Sequence, residues 1–270
     1  MITVKIKGGL GNQMFQYAFG RTMSLWHDTP LSLDLSWFTQ PQTYPFPYSL
    51  DNFKIVNSGL EPKGEVRKEK YPGFNGELLY PFPGDMIYEG YFQDEGYFKS
   101  CRNVLLEELA LEMNSMNTDL LAHERVIQKQ VSVFIHVRRG ERTSGKAHEL
   151  FGLVSKNFYD KSIKMMQRWF AEPRFFIFTD DFEWTTENLD YPANTIVFGE
   201  KDFPDYQCIY LMSKCDHAII ANSSFSWWGA WLMTNPHKIV IAPSKWTTDI
   251  SISNQNIRPS GWIAMNPEYE

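Results

Sequence analysis

The sequence is poor in cysteine and has no long hydrophobic run. Its 270 residues include only three cysteines, Cys101, Cys208 and Cys215, and none of them forms a Cys-x-x-Cys pair. Three cysteines cannot form a closed set of disulfides, which favours a reducing compartment. No apolar run is long enough to cross a bilayer, and the first residues lack the apolar core of a signal peptide. We therefore expect a cytoplasmic protein without a transmembrane segment, although attachment to the inner face of the membrane would leave no mark in the sequence.

Several common nucleotide and metal motifs are also missing. The segment Gly9-Leu-Gly-Asn-Gln-Met14 has methionine at the position of the third glycine in the dinucleotide fingerprint, and no Gly-Lys-Ser/Thr ending marks a P-loop. Neither His-x-x-x-His nor Asp-x-Asp occurs, so no short motif offers a carboxylate pair to hold a metal at phosphate groups. These absences argue against an NAD(P)-dependent epimerase or reductase, and they predict an activity that needs neither a cofactor nor a metal.

Positive charge is in the minority. The chain has 26 lysines and arginines against 32 aspartates and glutamates, which gives a formal net charge of −6. This balance argues against a nucleic-acid surface. Hydrophobic residues make up 43% of the chain and aromatic residues 16%, enough to build packed cores. Any cationic site must therefore be local and formed by a few residues.

One segment combines the pattern of a buried strand with clustered positive charge. The apolar run 131–135 is followed by His136, Arg138 and Arg139, and then by a glycine. Such a run is typical of a buried parallel strand, and ligands of open α/β sheets bind beyond the carboxyl ends of the strands. The planar donor fork of arginine suits the oxygens of a diphosphate. On this segment alone, a pair of surface arginines in ordinary salt bridges is an equal alternative.

Strand and helix patterns alternate along the chain. The predicted strands are 2–7, 31–35, 87–91, 131–136, 174–178, 195–198, 217–221 and 238–242. The predicted helices are 13–26, 95–112, 118–130, 156–170, 204–214 and 225–233, and residues 39–84 form an irregular insertion. The alternation predicts an α/β fold with parallel, doubly wound sheets and right-handed crossovers. A boundary near residue 130 divides it into the domains 1–130 and 131–270.

Polar residues follow three of the predicted strands in the second domain. Besides the arginine pair, Asp180 and Asp181 follow one strand, and Asn222, Ser223 and Ser224 follow another. If these strands are neighbours, the groups face a single crevice, where hydroxyls and helix-start amides complement arginine in binding an anion. The aspartates could equally form a turn or a helix cap, and serine is a common cap residue. Together the groups favour a nucleotide diphosphate.

Five segments resemble, in order along the chain, the signatures of one enzyme family. They are Gly8-Gly-Leu-Gly-Asn-Gln-Met-Phe-Gln-Tyr-Ala18, Glu89-Gly-Tyr-Phe-Gln93, His136-Val-Arg-Arg-Gly140, Phe178-Thr-Asp-Asp181 and Asn222-Ser-Ser-Phe-Ser-Trp-Trp-Gly-Ala-Trp-Leu232. Spanning residues 8–232, they resemble the α-1,2-fucosyltransferases of glycosyltransferase family 11. Related His-x-Arg-Arg motifs occur in α-1,6-fucosyltransferases and protein O-fucosyltransferases, so the resemblance identifies the donor more firmly than the acceptor.

The resemblance implies the GT-B architecture, in which two Rossmann-like domains face each other across a cleft. The domain 131–270 would bind GDP-β-L-fucose, and the domain 1–130 would help to bind a galactose-terminated oligosaccharide. The implied reaction is a metal-independent, inverting transfer of L-fucose to the 2-hydroxyl group of a terminal β-galactoside. The expected setting is bacterial synthesis of a surface polysaccharide or another glycan, with no nucleic-acid partner.

The resemblance also implies roles for individual residues. Arg138 is the expected catalytic group, because it would bind the β-phosphate as charge develops there. The expected donor-binding residues are Asn12, His136, Arg138, Arg139, Asp180, Asp181, Asn222, Ser223, Ser224 and Phe225. No residue is expected to bind a metal. The general base stays open among Asp34, Glu141, His148 and Glu149.

The chain departs from the family at one position. The family usually has aspartate after Arg-Arg-Gly, whereas this chain has Glu141, and the following segment 142–150 is divergent. That segment is expected near the acceptor. The resemblance therefore supports the acceptor preference less firmly than any other property. Two alternatives stay open: a fucosyltransferase of another linkage, and a catalytically inactive protein that binds a sugar nucleotide.

Overall fold

The chain folds into two compact units, each built on a sheet of parallel strands. The computed structural model describes residues 1–41, 45–70, 73–80, 83–249 and 257–270, except for the side chain of Glu141. The units are Met1–Met113 and Asn114–Glu270. Among the described residues, no helix has the length and apolar character that crossing a membrane requires.

The boundary between the units lies between Met113 and Asn114, whereas the sequence predicted it near residue 130. The helix Thr118–Ile127 belongs to the second unit. Its Glu124 accepts a hydrogen bond of 2.9 Å from the hydroxyl of Tyr210, and the ring of His123 lies edge-on to Phe198, with 5.2 Å between centroids. These contacts join the helix to the elements that follow it in the chain rather than to those before it.

The first unit has a four-stranded sheet in the order β2-β1-β4-β3. Its strands are β1 (Ile2–Lys5), β2 (Leu31–Asp34), β3 (Glu65–Lys68) and β4 (Met86–Glu89), and its α-helices are α1 (Leu10–Trp26) and α2 (Arg102–Glu108). Short 3-10 helices lie at Ser36–Thr39, Leu50–Asn52, Gly76–Leu79, Glu95–Tyr97 and Lys99–Cys101. Helix α1 packs closely on β1, because a Cβ atom on Gly20 would lie 2.4 Å from Cγ2 of Val4, and Ile2, Val4, Met14 and Phe15 are all buried.

The insertion that we predicted to be irregular contains an edge strand. β3 has the sequence Glu-Val-Arg-Lys, whose single apolar residue, Val66, is exposed, so no apolar pattern marks it. It pairs in parallel with β4. The chain enters it through Gly64, at φ +111°, where a Cβ atom would lie 1.9 Å from the carbonyl oxygen of Asp85. The predicted helix 95–112 is also shorter in the structure, because only Arg102–Glu108 is α-helical.

The second unit has a six-stranded sheet in the order β10-β9-β8-β5-β6-β7. Its strands are β5 (Ser132–Val137), β6 (Arg174–Thr179), β7 (Ile196–Phe198), β8 (His217–Ile219), β9 (Val240–Pro243) and β10 (Ile263–Met265). Its α-helices are α3 (Thr118–Ile127), α4 (Gly145–Phe151), α5 (Lys156–Trp169), α6 (Phe182–Asn188), α7 (Asp205–Ser213) and α8 (Ser224–Leu232), and a 3-10 helix lies at Gly140–Thr143. A further 3-10 helix, Met113–Ser115, begins at the last residue of the first unit.

The central position of β5 explains its apolar sequence. Every residue of β5 is buried, and the strand pairs with β8 on one side and with β6 on the other. A strand covered on both faces needs a continuous apolar run, and this run is what predicted it. The sequence did not predict the helices α4 and α6, whose seven residues make only about two turns, or the strand β10, whose Ile263 and Ala264 are exposed.

We expect the substitution Gly64→Ala to destabilise the first unit strongly. A methyl group there meets the backbone of Asp85, which cannot move without breaking the entry to β3. Gly59→Ala is a matched control, because Gly59 also has positive φ, +65°, but open space around it. We expect Gly64→Ala to lower the free energy of unfolding by at least ~2 kcal/mol more than Gly59→Ala, as measured by urea denaturation. Equal losses in the two variants would contradict the steric explanation.

Candidate functional site

Three strand ends bring most of the predicted site residues together. β5 lies between β8 and β6, with Ile135 opposite Ile219 and Val137 opposite Thr179. The polar residues that follow these strands therefore share one edge of the sheet, as the sequence predicted. We call the residues His136, Arg138, Asp180, Ser223 and Ser224 the strand-end site.

The guanidinium of Arg138 is held by an ion pair. Its Nη1 atom lies 2.8 Å from Oδ2 of Asp180, whose other oxygen accepts a hydrogen bond of 2.7 Å from the backbone N–H of Arg139. The side chain of Asp180 is only 5% exposed, whereas that of Arg138 is 23% exposed. The carboxylate of Asp180 is thus bound by groups of the protein itself, while part of the arginine side chain stays accessible to an anion.

A glycine makes this ion pair fit. A Cβ atom on Gly140 would lie 2.6 Å from Oδ2 of Asp180, closer than real Cβ contacts allow. The glycine after the arginine pair is therefore required by the approach of Asp180, and not by positive φ.

Arg139 points into a different set of contacts. Its guanidinium carbon lies 3.8 Å from the ring centre of Trp184, and its Nε atom lies 3.4 Å from Oδ2 of Asp181. Asp181 also caps α6, because its Oδ1 atom accepts a hydrogen bond of 3.1 Å from the N–H of Trp184. The capping interpretation of Asp181 is confirmed, and Arg139 is a mostly buried residue that anchors α6 to β5.

His136 is buried and uncharged. Its residue exposure is 4%, its Nδ1 atom has no hydrogen-bond partner among the described residues, and its ring lies 5.5 Å from that of Phe225. Burial, followed by the charges of Arg138 and Arg142, holds the pKa of His136 well below its usual value. The imidazole can therefore donate and accept hydrogen bonds, but it does not carry charge near neutral pH.

In the segment after β8, Asn222, Ser223 and Ser224 have different contacts. Ser223 caps α8 by accepting a hydrogen bond of 3.3 Å from the N–H of Phe225, so the capping interpretation is confirmed for this serine. Asn222 is only 1% exposed, and its amide nitrogen donates to the carbonyl oxygens of Phe151 and Trp246 at 2.8 and 3.0 Å. Its side chain therefore makes its hydrogen bonds inside the protein, and its role in donor binding stays a prediction. Ser224, the first residue of α8, is partly exposed.

In the first unit, Asn12 joins two of the motifs. Its Oδ1 atom accepts a hydrogen bond of 2.8 Å from Nε2 of Gln93, which links the start of α1 to the segment after β4. Gly8 is at φ +77°, and a Cβ atom there would lie 2.9 Å from Nδ2 of Asn12. Gln13 fixes the same turn by donating to the carbonyl oxygens of Gly8 and Pro47, both at 2.8 Å.

Two residues that hold these segments in place were not predicted from the sequence. Glu69, which follows β3, accepts hydrogen bonds of 2.7 and 3.1 Å from the N–H groups of Tyr91 and Phe92, and Phe92 itself has φ +51°. Burial raises the pKa of the Glu69 carboxyl. Arg142 is the second such residue, with 8% exposure and a side chain that reaches Asn222. Both lie in segments without a recognisable motif.

The four candidates for a general base lie in different surroundings. Asp34 accepts a hydrogen bond of 2.9 Å from the N–H of Ser36, and Nδ1 of His148 lies 3.0 Å from the carbonyl oxygen of Arg142. Glu149 is exposed, and the side chain of Glu141 lies outside the described part of the chain. These contacts do not select one of the four.

The described residues contain no group of three or more His, Cys, Asp or Glu side chains that could hold a metal ion. Metal independence stays a prediction.

Comparison of sequences connects the whole chain with one family. The family model of "Glycosyl transferase family 11" matches residues 1–266. An α-1,2-colitosyltransferase of Escherichia coli is 30% identical over 97% of this chain and 98% of its own length. The O-antigen biosynthesis glycosyltransferase WbnK of the same organism is 29% identical, over 89% of this chain and 93% of its own length. The mouse galactoside 2-alpha-L-fucosyltransferase Sec1 is 22% identical, over 86% and 64%.

Comparison of structures gives the same fold at much lower identity. POFUT1 in complex with GDP has a TM-score of 0.56 and 12% identity, over 89% of this chain and 97% of that chain. The α-1,6-fucosyltransferase NodZ crystallised with GDP has a TM-score of 0.54 and 12% identity, over 84% and 91%. The predicted fold class, α/β with the GT-B architecture, is confirmed.

We expect His136 to make the stability of the protein depend on pH. An unfolded histidine has a pKa of about 6.5. Below that pH the side chain of His136 is protonated in the unfolded chain, whereas the buried imidazole stays neutral in the folded protein. The contribution of His136 to the free energy of unfolding is therefore fully present above about pH 6.5. It falls on acidification by up to ~1.4 kcal/mol per pH unit. In urea denaturation between pH 7 and pH 5, His136→Gln should flatten this decline. The exposed His237 provides the control variant His237→Gln; equal slopes in both variants would contradict the assignment.

Proposed function

Since the chain belongs to glycosyltransferase family 11, we propose that it transfers L-fucose from GDP-β-L-fucose to the 2-hydroxyl group of a terminal β-galactoside. The transfer inverts the anomeric configuration and needs no metal ion. The mouse relative is named a galactoside 2-alpha-L-fucosyltransferase, and the E. coli relative is named for an α-1,2 linkage. Structural neighbours were solved with GDP or GDP-fucose, which supports a nucleotide-sugar donor.

The observation that carries the proposal is the guanidinium of Arg138, partly exposed and fixed by Asp180 at the carboxyl end of the central strand. A diphosphate needs donors that are already oriented, because a flexible cation loses entropy on binding. Arginine offers five N–H donors in a rigid plane, a geometry that suits phosphate oxygens, and the side chain of Arg138 is 23% exposed. Ser224 and the amides at the start of α8 supply further donors on the adjacent strand end.

The geometry suits a reaction in which charge leaves with the nucleotide. The acceptor hydroxyl attacks the anomeric carbon of fucose from the side opposite to GDP, and the bond to the β-phosphate oxygen breaks. Positive charge develops on the sugar ring and negative charge on the phosphate. Arg138 binds that negative charge more strongly in the transition state than in the ground state, which lowers the barrier.

His136 acts as a neutral hydrogen-bonding group in this proposal. Its ring lies beside Phe225 in the first turn of α8, and burial keeps it uncharged. It therefore orients the nucleotide without adding a charge that would hold the product back. The acceptor is assigned to the first unit, as the resemblance implies, and the general base stays open among the four candidates.

The relatives also support a setting for the activity. WbnK is named for O-antigen biosynthesis and comes from a bacterium. We therefore propose that the acceptor is a galactose-terminated intermediate of a bacterial surface polysaccharide. An assay with lactose, Gal-β1,3-GalNAc and Gal-β1,3-GlcNAc, followed by linkage analysis of the product, tests the acceptor and the linkage together. Product with fucose on another hydroxyl group would contradict the α-1,2 assignment, and GDP binding without any product would favour the inactive alternative.

A second donor has specific support, because a relative with 30% identity is named a colitosyltransferase. Colitose is fucose without its 3-hydroxyl group, so the two donors differ by one hydrogen-bonding group. A site built to bind that hydroxyl rejects the deoxy sugar, since its own polar groups would be left unpaired. We expect kcat/KM to be at least ~100-fold higher with GDP-fucose than with GDP-colitose. The reverse preference would replace fucose by colitose in the proposed function.

We expect Arg138→Ala to lower kcat/KM by at least ~100-fold, the scale of losing a donor to developing negative charge. Arg138→Lys should recover only part of the loss, because lysine keeps the charge but loses the planar fork. Arg168→Ala, at an exposed arginine in the last turn of α5, is the matched control and should retain full activity. A folded Arg138→Ala protein with near-normal turnover of GDP-fucose would refute the role of Arg138.

A further inference from the structure

We propose that Arg142 is a positioning residue that fixes the start of helix α8 against the donor diphosphate. The identity of the ligand rests on the proposed function, whereas the role of Arg142 rests on its contacts. Arg142 begins the divergent segment 142–150, which we expected near the acceptor. Its side chain runs instead to the segment that joins β8 to α8.

Arg142 is a buried cation at a defined place in the fold. It lies in the 3-10 helix Gly140–Thr143, where its N–H donates to the carbonyl oxygen of Arg139 at 2.7 Å. Its guanidinium carbon lies 4.5 Å from the ring centre of Phe151. With 8% exposure, this charge has lost nearly all contact with water, so its protein contacts must be geometrically good.

The main partner of Arg142 is the residue that precedes the α8 cap. The Nη1 atom donates to the carbonyl oxygen of Asn222 at 3.1 Å and to its Oδ1 atom at 2.7 Å. A guanidinium only donates, so the amide oxygen of Asn222 has to face it and the amide nitrogen has to face the other way. That nitrogen reaches the carbonyl oxygens of Phe151 and Trp246 and the hydroxyl of Tyr269, 3.2 Å away.

The consequence is that one arginine orients a whole junction. Asn222 leads directly into Ser223, which caps α8, and Ser224, which begins it. Fixing the backbone carbonyl and the side chain of Asn222 fixes the direction in which the first amides and the Ser224 hydroxyl point. A small rotation there would misdirect several donors at once, because they share one turn of helix.

The segment after β5 thereby holds both neighbouring strand ends. Arg138 pairs with Asp180 beyond β6, and Arg142 bonds to Asn222 beyond β8. The charges of Arg138 and Arg142 both lower the pKa of His136, so the positive field of Arg142 reaches the strand-end site. Arg142 acts on an anion through Asn222 and through this field, without having to touch the anion.

The test measures binding of GDP by calorimetry and the kinetics of GDP-fucose turnover for Arg142→Met and Arg142→Lys. We expect Arg142→Met to raise the Kd of GDP and the KM for GDP-fucose at least ~10-fold, with kcat changed less than ~3-fold. Arg142→Lys keeps the charge but loses the planar guanidinium that lies beside the ring of Phe151, so it should recover only part of the affinity. Arg125→Met, at an exposed arginine of α3, is the matched control and should bind GDP normally.

A Kd of GDP that is unchanged in Arg142→Met would overturn the inference, even if the melting temperature falls, because that result describes a purely structural residue. Full recovery in Arg142→Lys would contradict the need for a planar guanidinium at this position. If Arg142→Met does not fold, the double-mutant cycle of Arg142→Lys with Ser224→Ala decides. Their effects on Kd should be less than additive if Arg142 acts through the start of α8, and additive effects would refute this.

Measuring GDP binding separates this inference from the proposed function. A protein that binds GDP but transfers no fucose would contradict the proposed function, while the Arg142 comparison would keep its meaning. A wild-type protein that binds no GDP would overturn both.

Discussion

A guanidinium that is to neutralise developing charge must be in place before the charge appears, and here the carboxylate of Asp180 holds it. The ion pair with Arg138 is possible because Gly140 leaves room for the carboxylate and because β5 and β6 are neighbours in the sheet. The nearly buried aspartate keeps the arginine oriented, and the arginine side chain is itself 23% exposed, within reach of a phosphate group. The proposed chemistry follows from this preorganisation, since energy spent on ordering the cation during the reaction would raise the barrier.

The fold could be predicted where burial leaves a strong pattern. β5 is covered on both sides, so its continuous apolar run identified it, and the order of strands and helices predicted the parallel α/β class. The edge strand β3 could not be found, because its side chains are largely exposed and its pairing depends on Gly64 and the remote Asp85. The predicted boundary near residue 130 differs from the division after Met113 for a related reason: the packing of α3 through Glu124 is a long-range contact that sequence spacing does not encode.

The candidate site shows the same division between local and long-range information. Motifs located the strand ends, and the neighbouring positions of β8, β5 and β6 brought them together. The sequence could not tell which polar side chains face a ligand and which serve the protein. Asp181 caps a helix, Asn222 is enclosed by its partners, and Arg142 completes that enclosure from a segment without a motif. The cap by Asp181 is a local contact, whereas the enclosure of Asn222 depends on contacts between residues 24 to 80 positions apart, which only the folded chain brings together.

The exposed edge of the first sheet has a consequence beyond the site. β3 presents Glu65, Arg67 and Lys68 along its four residues, with Val66 as the single apolar side chain. An unpaired strand edge is a template on which another polypeptide can add itself, and charged side chains make such an addition costly. The short, charged β3 therefore disfavours pairing of this sheet edge with another chain and hence aggregation. A longer and more apolar edge strand would favour such pairing.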